Sequence, residues 1–379
     1  MLKRLGVSEA DQEIADAIRR YAQTELAPQA AQVDHDEIAT TRYVSALAEL
    51  GVMGMNLPER WGGIGTTPAA IILALAEIAS ACASTASMIG AHYLATDSIL
   101  IGGNDDLRAR YLPAAAAGEK LGAFALTEPQ AGSNPAGMKT QAVREGDGYR
   151  LRGVKHFISN AGAAQFIIVY AKTAPDLGTR GISAFVVDTD TPGVTVAGAE
   201  KLMGIRGAPA HEVALDCFVP LTNRLGEEGT GFRTAMKVLD NSRLDVAATS
   251  LGIAEAALGD AVEWAKQREV GGEPLARKQG LQWVFADMKT RLEAAWLLTL
   301  QAAVRRGAGE PFTEAASMAK LYASEMVGFV TDAALQMHGG YGFTREMRIE
   351  RLVRDARILR IYEGSSEIQR TVIARSVLA

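Results

Sequence analysis

Apolar residues recur at helical spacing in the first third of the chain. Ile14, Ile18, Tyr21 and Ala22 lie three or four positions apart behind Ser8, a residue type that caps helix N-termini, and Pro28 marks the expected end of that helix. Further helices are predicted from Arg42 to Leu50, Pro68 to Ser80 and Asp105 to Ala117, with loops at Pro58 and Gly62-Gly63-Ile64-Gly65. Between 121 and 230 the pattern changes. Short runs such as Phe166-Ile167-Ile168-Val169-Tyr170 and Phe185-Val186-Val187 stand between Gly, Pro and Asp turn signals, which predicts strands. No helix of ten or more residues separates them, so a compact antiparallel sheet or barrel is expected rather than a parallel doubly wound sheet. From 231 onward helical spacing returns. Met318, Tyr322, Met326, Phe329, Ala333 and Met337 form one series, ended by Gly339-Gly340, and Met288, Leu292, Ala295, Thr299 and Ala302 or Ala303 form another, with Asp287 and Arg291 as an i,i+4 pair.

The expected organisation is therefore α+β and multidomain: a helical domain over 1–120, a middle β-barrel or β-sandwich domain over 121–230, and a helical bundle over 231–379. A length of 379 residues agrees, because single cores stop growing at roughly 250–300 residues.

Charge and cysteine content narrow the partners. The net charge is −5, with no block of like charge to hold nucleic acid or an anionic membrane. Cys82 and Cys217 are too few for a disulfide framework or a zinc knuckle. The opening MLKRLGVSEADQEIADAIRR has no apolar signal-peptide core, so a cytoplasmic location is expected. The apolar stretch from Ala69 to Ala79 contains Glu77 and is shorter than the roughly 20 residues that cross a bilayer. His35, His92, His156, His211 and His338 show no ligand spacing, so no metal is expected. Gly339-Gly340-Tyr341-Gly342 follows a helix rather than a strand and is not a dinucleotide fingerprint.

Two motifs carry the chemistry. The segment from Ala123 to Ser133 reads AFALTEPQAGS and continues through Gly137-Met138-Lys139-Thr140. The segment Ile361-Tyr362-Glu363-Gly364-Ser365-Ser366-Glu367-Ile368-Gln369-Arg370 places an acid beside a glycine, where backbone can approach a ligand closely, just before a helix that Ser366 and Gln369 could open as a capping box. Taken alone, that glutamate is a capping or salt-bridging residue and Thr127-Glu128-Pro129 is an ordinary turn.

Together with Lys155 to Asn160, Asp240 to Arg243, Arg268, Gln279 and Leu335 to Gly342, these motifs resemble, in order and along essentially the whole chain, the acyl-CoA dehydrogenase family. The resemblance implies noncovalent FAD between domains and between subunits of a homodimer or homotetramer. It also implies an acyl-CoA substrate, an electron-transfer flavoprotein as electron acceptor, and a place in fatty acid or amino acid catabolism. Glu363 is then the base that removes the α-proton while a hydride equivalent leaves the β-carbon. The Glu363 N–H helps to hold the thioester oxygen, which needs preorganised donors as enolate charge develops.

By the same resemblance the cofactor is held by Phe124, Leu126, Thr127, Gly132 and Ser133, by Phe157, Ile158 and Ser159, by Arg268, Gln279, Gln336, Gly339 and Gly340, and by Ser365 and Glu367. Substrate contacts fall to Ser133, Leu239, Ser242, Arg243 and Gly364. Relatives that place the base immediately before the arginine have a carboxylate where this chain has Ser242, which leaves Glu363. Read without the family, Arg243 is a helix-surface ion pair. Phe157 in place of Trp, Gln130 and Asn134 in place of Gly and Asp, Ser365 in place of Thr, and Gly271 where the family usually has a Phe packed near the adenine are departures from the common pattern, and the resemblance does not carry the adenine contact over to Gly271. The segments 272–276 and 335–341 look most like the short- and branched-chain subgroup. The competing expectations are an oxygen-using oxidase or monooxygenase and a non-catalytic flavoprotein scaffold.

Overall fold

The computed structural model describes residues 7–379, so the leader-free reading of the first six residues lies outside the described residues. Helices α1 (Glu9–Tyr21), α2 (Ala30–His35), α3 (Val44–Glu49), α4 (Pro68–Ala81), α5 (Ala83–Gly102) and α6 (Asp105–Ala116) come first. Ser8 caps α1 as expected: its Oγ accepts from Asp11 N at 3.1 Å, and Asp11 Oδ2 accepts from Ser8 N at 2.8 Å. Pro28 does not end the helical path. A π-turn over Ala22–Leu26 and a 3-10 turn over Ala27–Gln29 carry it into α2. Widening the turn just before a proline accommodates a ring that an α-helix interior cannot.

The twenty-residue α5 has no counterpart in the predicted helices. It is buried on nearly every side, between α4, α7 and the sheet, so its sequence lacks the two-faced pattern that reveals a surface helix.

The middle of the chain is one sheet: β1 (Gly122–Ala125), β2 (Gln141–Glu145), β3 (Gly148–Ser159), β4 (Phe166–Lys172), β5 (Ile182–Asp188), β6 (Val194–Ala199), β7 (Ala210–Pro220) and β8 (Arg224–Leu225). Its order is β6-β7-β3-β2-β4-β5-β8, with β1 on β4. The antiparallel expectation needs correction, because β1 runs parallel to β4 from Gly122↔Phe166 to Ala125↔Val169. The β2–β3 hairpin supplies the crossover such a pair requires. Strand β4 reads as a continuous apolar run because both faces are covered. Phe166, Ile168 and Tyr170 pack with residues of α5 and α6, while Ile167, Val169 and Ala171 face a second core with Leu151, Phe185 and Leu215.

The remainder is helical: α7 (Gly231–Gln267), α8 (Gln279–Gly307), α9 (Thr313–His338), α10 (Arg348–Ala356) and α11 (Ser366–Leu378), with a small hairpin of β9 (Glu269–Val270) and β10 (Glu273–Pro274) after α7. Helix α7 is the spine, packed on α4, α5, α8 and α9. The α8 series from Met288 to Ala303 is buried. Arg291, expected to pair with Asp287, instead lies 4.1 Å over the Phe329 ring. On α9 the deepest face is made of small residues, Ala316, Ala319, Ala323 and Ala334 with Val327 and Val330, which let α7 approach closely. Tyr322 and Phe329 of the predicted series sit at its edge.

Candidate active site

The loop between α10 and α11 turns on an unusual backbone. Glu363 has φ +55° and Gly364 has φ +88°. A left-handed residue with a side chain costs roughly 1–2 kcal/mol, so neighbouring structure must hold it there. Gln369, fully buried, reaches back from α11 and donates to the carbonyls of Glu363 at 3.1 Å and Gly364 at 3.0 Å. Lys320 on α9, also fully buried, donates from Nζ to Gly364 O at 2.7 Å. These contacts correct the capping-box expectation. Ser365, not Ser366, occupies the α11 N-cap, and Ser366 Oγ donates to Glu325 at 2.7 Å.

The Glu363 carboxyl lies near Ser242 of α7. Burial pushes its pKa up, and Ser242, Lys320 and Arg243 oppose that shift. Its Oε2 is buried without a hydrogen-bond partner. Among the described residues the Glu363 N–H donates to nothing. Burial also lowers the Lys320 ammonium to about 8, against the attraction of Glu363. Tyr362 is raised above the normal phenol range by burial, with Ser87 of α5 opposing the shift.

Arg243 is buried rather than on the surface. Its Nη1 serves Asp240 and, at 3.2 Å, Ser317 Oγ, while its Nε has no partner. Leu239 is half-buried one turn earlier.

A second group forms on the sheet. Lys155 and Glu128 make an ion pair at 2.9 Å, and both are almost fully buried. Lys155 also donates to Leu126 O at 3.1 Å, and Glu128 accepts from Lys139 N at 2.6 Å and Thr140 N at 3.0 Å. Burial alone would raise the Glu128 pKa, but Lys155 and those N–H donors hold it at about 2. The pair thereby shapes the loop carrying Thr127, Gly132 and Ser133, and His156 N donates to Thr127 O at 3.0 Å.

At the next residue a bulge interrupts the β3–β7 register between Lys155 and Ile158. Phe157 has φ +58° there and is 58% exposed. Ile158 and Leu126 turn their side chains into the core, so only their main chains can meet a ligand. Phe124 and Ser159 are half-buried, whereas Gly132 and Ser133 are exposed.

A third group lies elsewhere. A cleft of about 490 Å³ is lined by Trp264, Arg268, Met337, Gly339, Gly340 and Tyr341 among others. Trp264 stacks on His338 at 5.0 Å, and the Arg268 guanidinium sits 5.8 Å from the Tyr341 ring centre. Gln279 and Gln336 are exposed. Lys320 and Met337 stand seventeen positions apart on α9, or about 26 Å along the helix axis. The cleft and Glu363 are therefore at different ends of the bundle. Ser365 and Glu367 flank the α11 start beside Glu363.

Sequence reasoning missed Lys320 and the anchoring role of Gln369, and it gave no role to the Glu128–Lys155 pair. Lys320 had a signal, since it falls on the same helical face as Ala316, Ala323 and Val327, where a lysine is out of place.

Comparisons with known proteins match this arrangement throughout. The acyl-CoA dehydrogenase N-terminal domain matches residues 8–119, the middle domain 123–217 and the C-terminal domain 229–378. An acryloyl-CoA reductase (NADH) of Anaerotignum propionicum is 41% identical over 95% of this chain and 92% of its own. The mitochondrial short-chain specific acyl-CoA dehydrogenase of Mus musculus is 41% identical over 98% of this chain and 90% of its own. Butyryl-CoA dehydrogenase of Megasphaera elsdenii superposes with a TM-score of 0.96 at 40% identity, covering 98% of this chain and 99% of that one.

Proposed function

The chain belongs to the acyl-CoA dehydrogenase family, and on that premise we propose that it oxidises a short-chain or branched-chain acyl-CoA to the 2-enoyl-CoA with Glu363 as the base. The observation that carries this reading is the Glu363 carboxyl: on a half-buried residue, with Oε2 enclosed and unpartnered, on a loop pinned by Lys320 and Gln369. Burial raises its proton affinity toward what α-proton removal needs. Ser242, Lys320 and Arg243 keep the carboxylate form within reach. The free Glu363 N–H is a donor for the thioester oxygen, where charge grows as the proton leaves.

FAD fits the residues around this chemistry, and when bound it supplies the acceptor for the hydride equivalent. Phe157 offers an exposed aromatic face on a fixed bulge, and Thr127 and Ser133 offer hydroxyls from a loop braced by a buried ion pair. Arg268 beside Gly339 and Gly340, where an added Cβ would meet nothing within 4 Å, suits a pyrophosphate. That cluster is too far from Glu363 to serve the same FAD with ease. We assign it to the cofactor of a second copy, which makes the working unit a homodimer or a homotetramer of two such dimers.

The similarity to an acryloyl-CoA reductase (NADH) favours one second reading, the same site run toward reduction of the double bond. Electron-transfer flavoprotein is the partner expected for the oxidative direction. A chain from the structural study of the electron transferring flavoprotein of Acidaminococcus fermentans superposes with a TM-score of 0.96 at 39% identity.

Anaerobic titration of the purified yellow protein with straight and branched acyl-CoAs tests the proposal. Bleaching of the flavin by short acyl-CoAs is expected, with a dye or electron-transfer flavoprotein restoring colour. A protein that binds the thioesters and stays yellow is a scaffold, and one that forms peroxide in air at the same rate is an oxidase. Faster recolouring by enoyl-CoA than bleaching by acyl-CoA selects the reductive direction.

A further inference from the structure

We propose that the acyl cleft beside Glu363 is built for a chain bearing a hydrogen-bond donor beyond its β-carbon, a hydroxyl or an ammonium, which Asp245 accepts. This inference rests on the reading of Glu363 given above. Helix α5 is buried at every position before its last turn except Ser87 and Gly90, which share one face. A Cβ added at Gly90 would meet nothing within 4 Å, so open space adjoins the helix there. Ser87 lies near enough to Tyr362 to act on its phenol, which puts that space next to the Glu363 loop. Across from it, α7 places Ser242 near the Glu363 carboxyl and Asp245 three residues later on the same face. Asp245 acts electrostatically on Tyr362 in the loop and on Tyr93 in α5, and it senses Glu363 and Asp97. One turn earlier Asn241 donates to Asp97 of α5 at 2.8 Å, which sets this stretch of α7 against α5.

The two acids differ in their partners. Asp97 is satisfied, with Oδ1 accepting from Asn56 Nδ2 at 2.8 Å and Oδ2 from Asn241 Nδ2 at 2.8 Å. Asp245 is 6% exposed, and among the described residues no group donates to its carboxylate. Arg306 attracts it from a distance without forming an ion pair. A buried acid with no partner is unfavourable unless something that binds supplies one. Burial raises the Asp245 pKa to about 8, so near neutral pH it is largely a carboxylic acid able to donate to a hydroxyl oxygen and accept from its proton. An ammonium would draw it back to the carboxylate and pair with it. A plain alkyl chain leaves it unsatisfied.

The test uses the FAD-loaded enzyme and acyl-CoAs paired by length: valeryl with 5-hydroxyvaleryl, and hexanoyl with 6-aminohexanoyl. In the wild type at least one polar member is expected to exceed its alkyl partner in kcat/KM by about tenfold or more. Asp245→Ala is expected to reverse that ratio while leaving Tm unchanged or higher, since it removes an unpartnered buried acid. Asp245→Asn separates the two donors: it keeps a preference for the hydroxyl and loses one for the ammonium. The proposal is overturned if both alkyl chains are preferred by the wild type, or if Asp245→Ala lowers Tm and leaves the ratios alone, which marks a structural acid. Binding of the same pairs by calorimetry decides the point without turnover. Failure of every acyl-CoA to bleach the flavin would instead strike at the dehydrogenase reading itself.

Discussion

The Nζ of Lys320 donates to the carbonyl oxygen of Gly364 at 2.7 Å, although the two residues are 44 positions apart and Lys320 has no exposure to solvent. A buried cation thus holds the peptide that follows the base. Its attraction for Glu363 means that the charged forms of lysine and glutamate support each other across the loop.

Replacing Lys320 with Met should leave the Gly364 carbonyl without its strongest donor and free the loop to move. Turnover is expected to fall about 10- to 100-fold, mostly in kcat with KM little changed, because a misplaced base loses transition-state stabilisation. Stopped-flow flavin reduction measures this directly. The pH dependence has a definite sign. The folded-state pKa of Lys320 is lowered to about 8, below the usual lysine value of about 10.4. The unfolded chain then binds more protons between those values, so this group's contribution to stability rises with pH across that window. Chemical denaturation at pH 7.5 and 9.5 should show a rise in wild type that Lys320→Met lacks.

Glu363→Gln keeps the size and the contacts of the side chain and removes only its basicity. Flavin reduction should slow by roughly 10²- to 10⁴-fold, the usual worth of a general base. Colour and acyl-CoA affinity should persist. Near-normal reduction in this variant would move the base elsewhere.

Gly364→Ala meets two obstacles at once. The residue sits at φ +88°, and the new Cβ would lie 2.7 Å from Gln369 Nε2. Relief requires Gln369 to release the carbonyls it holds. A loss of about 1–3 kcal/mol is expected in thermal melts, together with a fall in kcat at least as large as that of Lys320→Met.

The Glu128–Lys155 pair gives a prediction read as stability. Glu128→Gln leaves Lys155 buried without a counter-charge, which costs about 3–5 kcal/mol when one partner of a buried pair is removed. The Glu128 pKa is held at about 2 in the fold, below the usual glutamate value of about 4.3. The stabilisation is complete above the higher value and disappears as pH falls toward the lower one. Urea midpoints of wild type and variant should therefore differ widely at pH 7 and converge near pH 2. A gap that is constant with pH would assign the effect to packing.

What could be read from the chain in advance was local. Ser8 capped α1 because a capping box is written within four residues, and the α8 series was buried as spaced. Helix α5 escaped because a helix covered on all sides has no polar face to give it a period. Gln369 was misassigned for a related reason: its spacing from Ser366 suits a cap, yet its amide reaches back six residues to the Glu363 carbonyl. The parallel placement of β1 beside β4 depends on strands forty residues apart, and no pattern within either strand carries that information.

The left-handed backbone at Glu363 sets stability against activity at a single codon. Glycine adopts φ +55° freely, so Glu363→Gly would relieve strain and remove an acid with an enclosed, unpartnered oxygen in one step. A chain no longer under selection for catalysis would find that change downhill, and the inert protein would outlast the working one in a test of endurance.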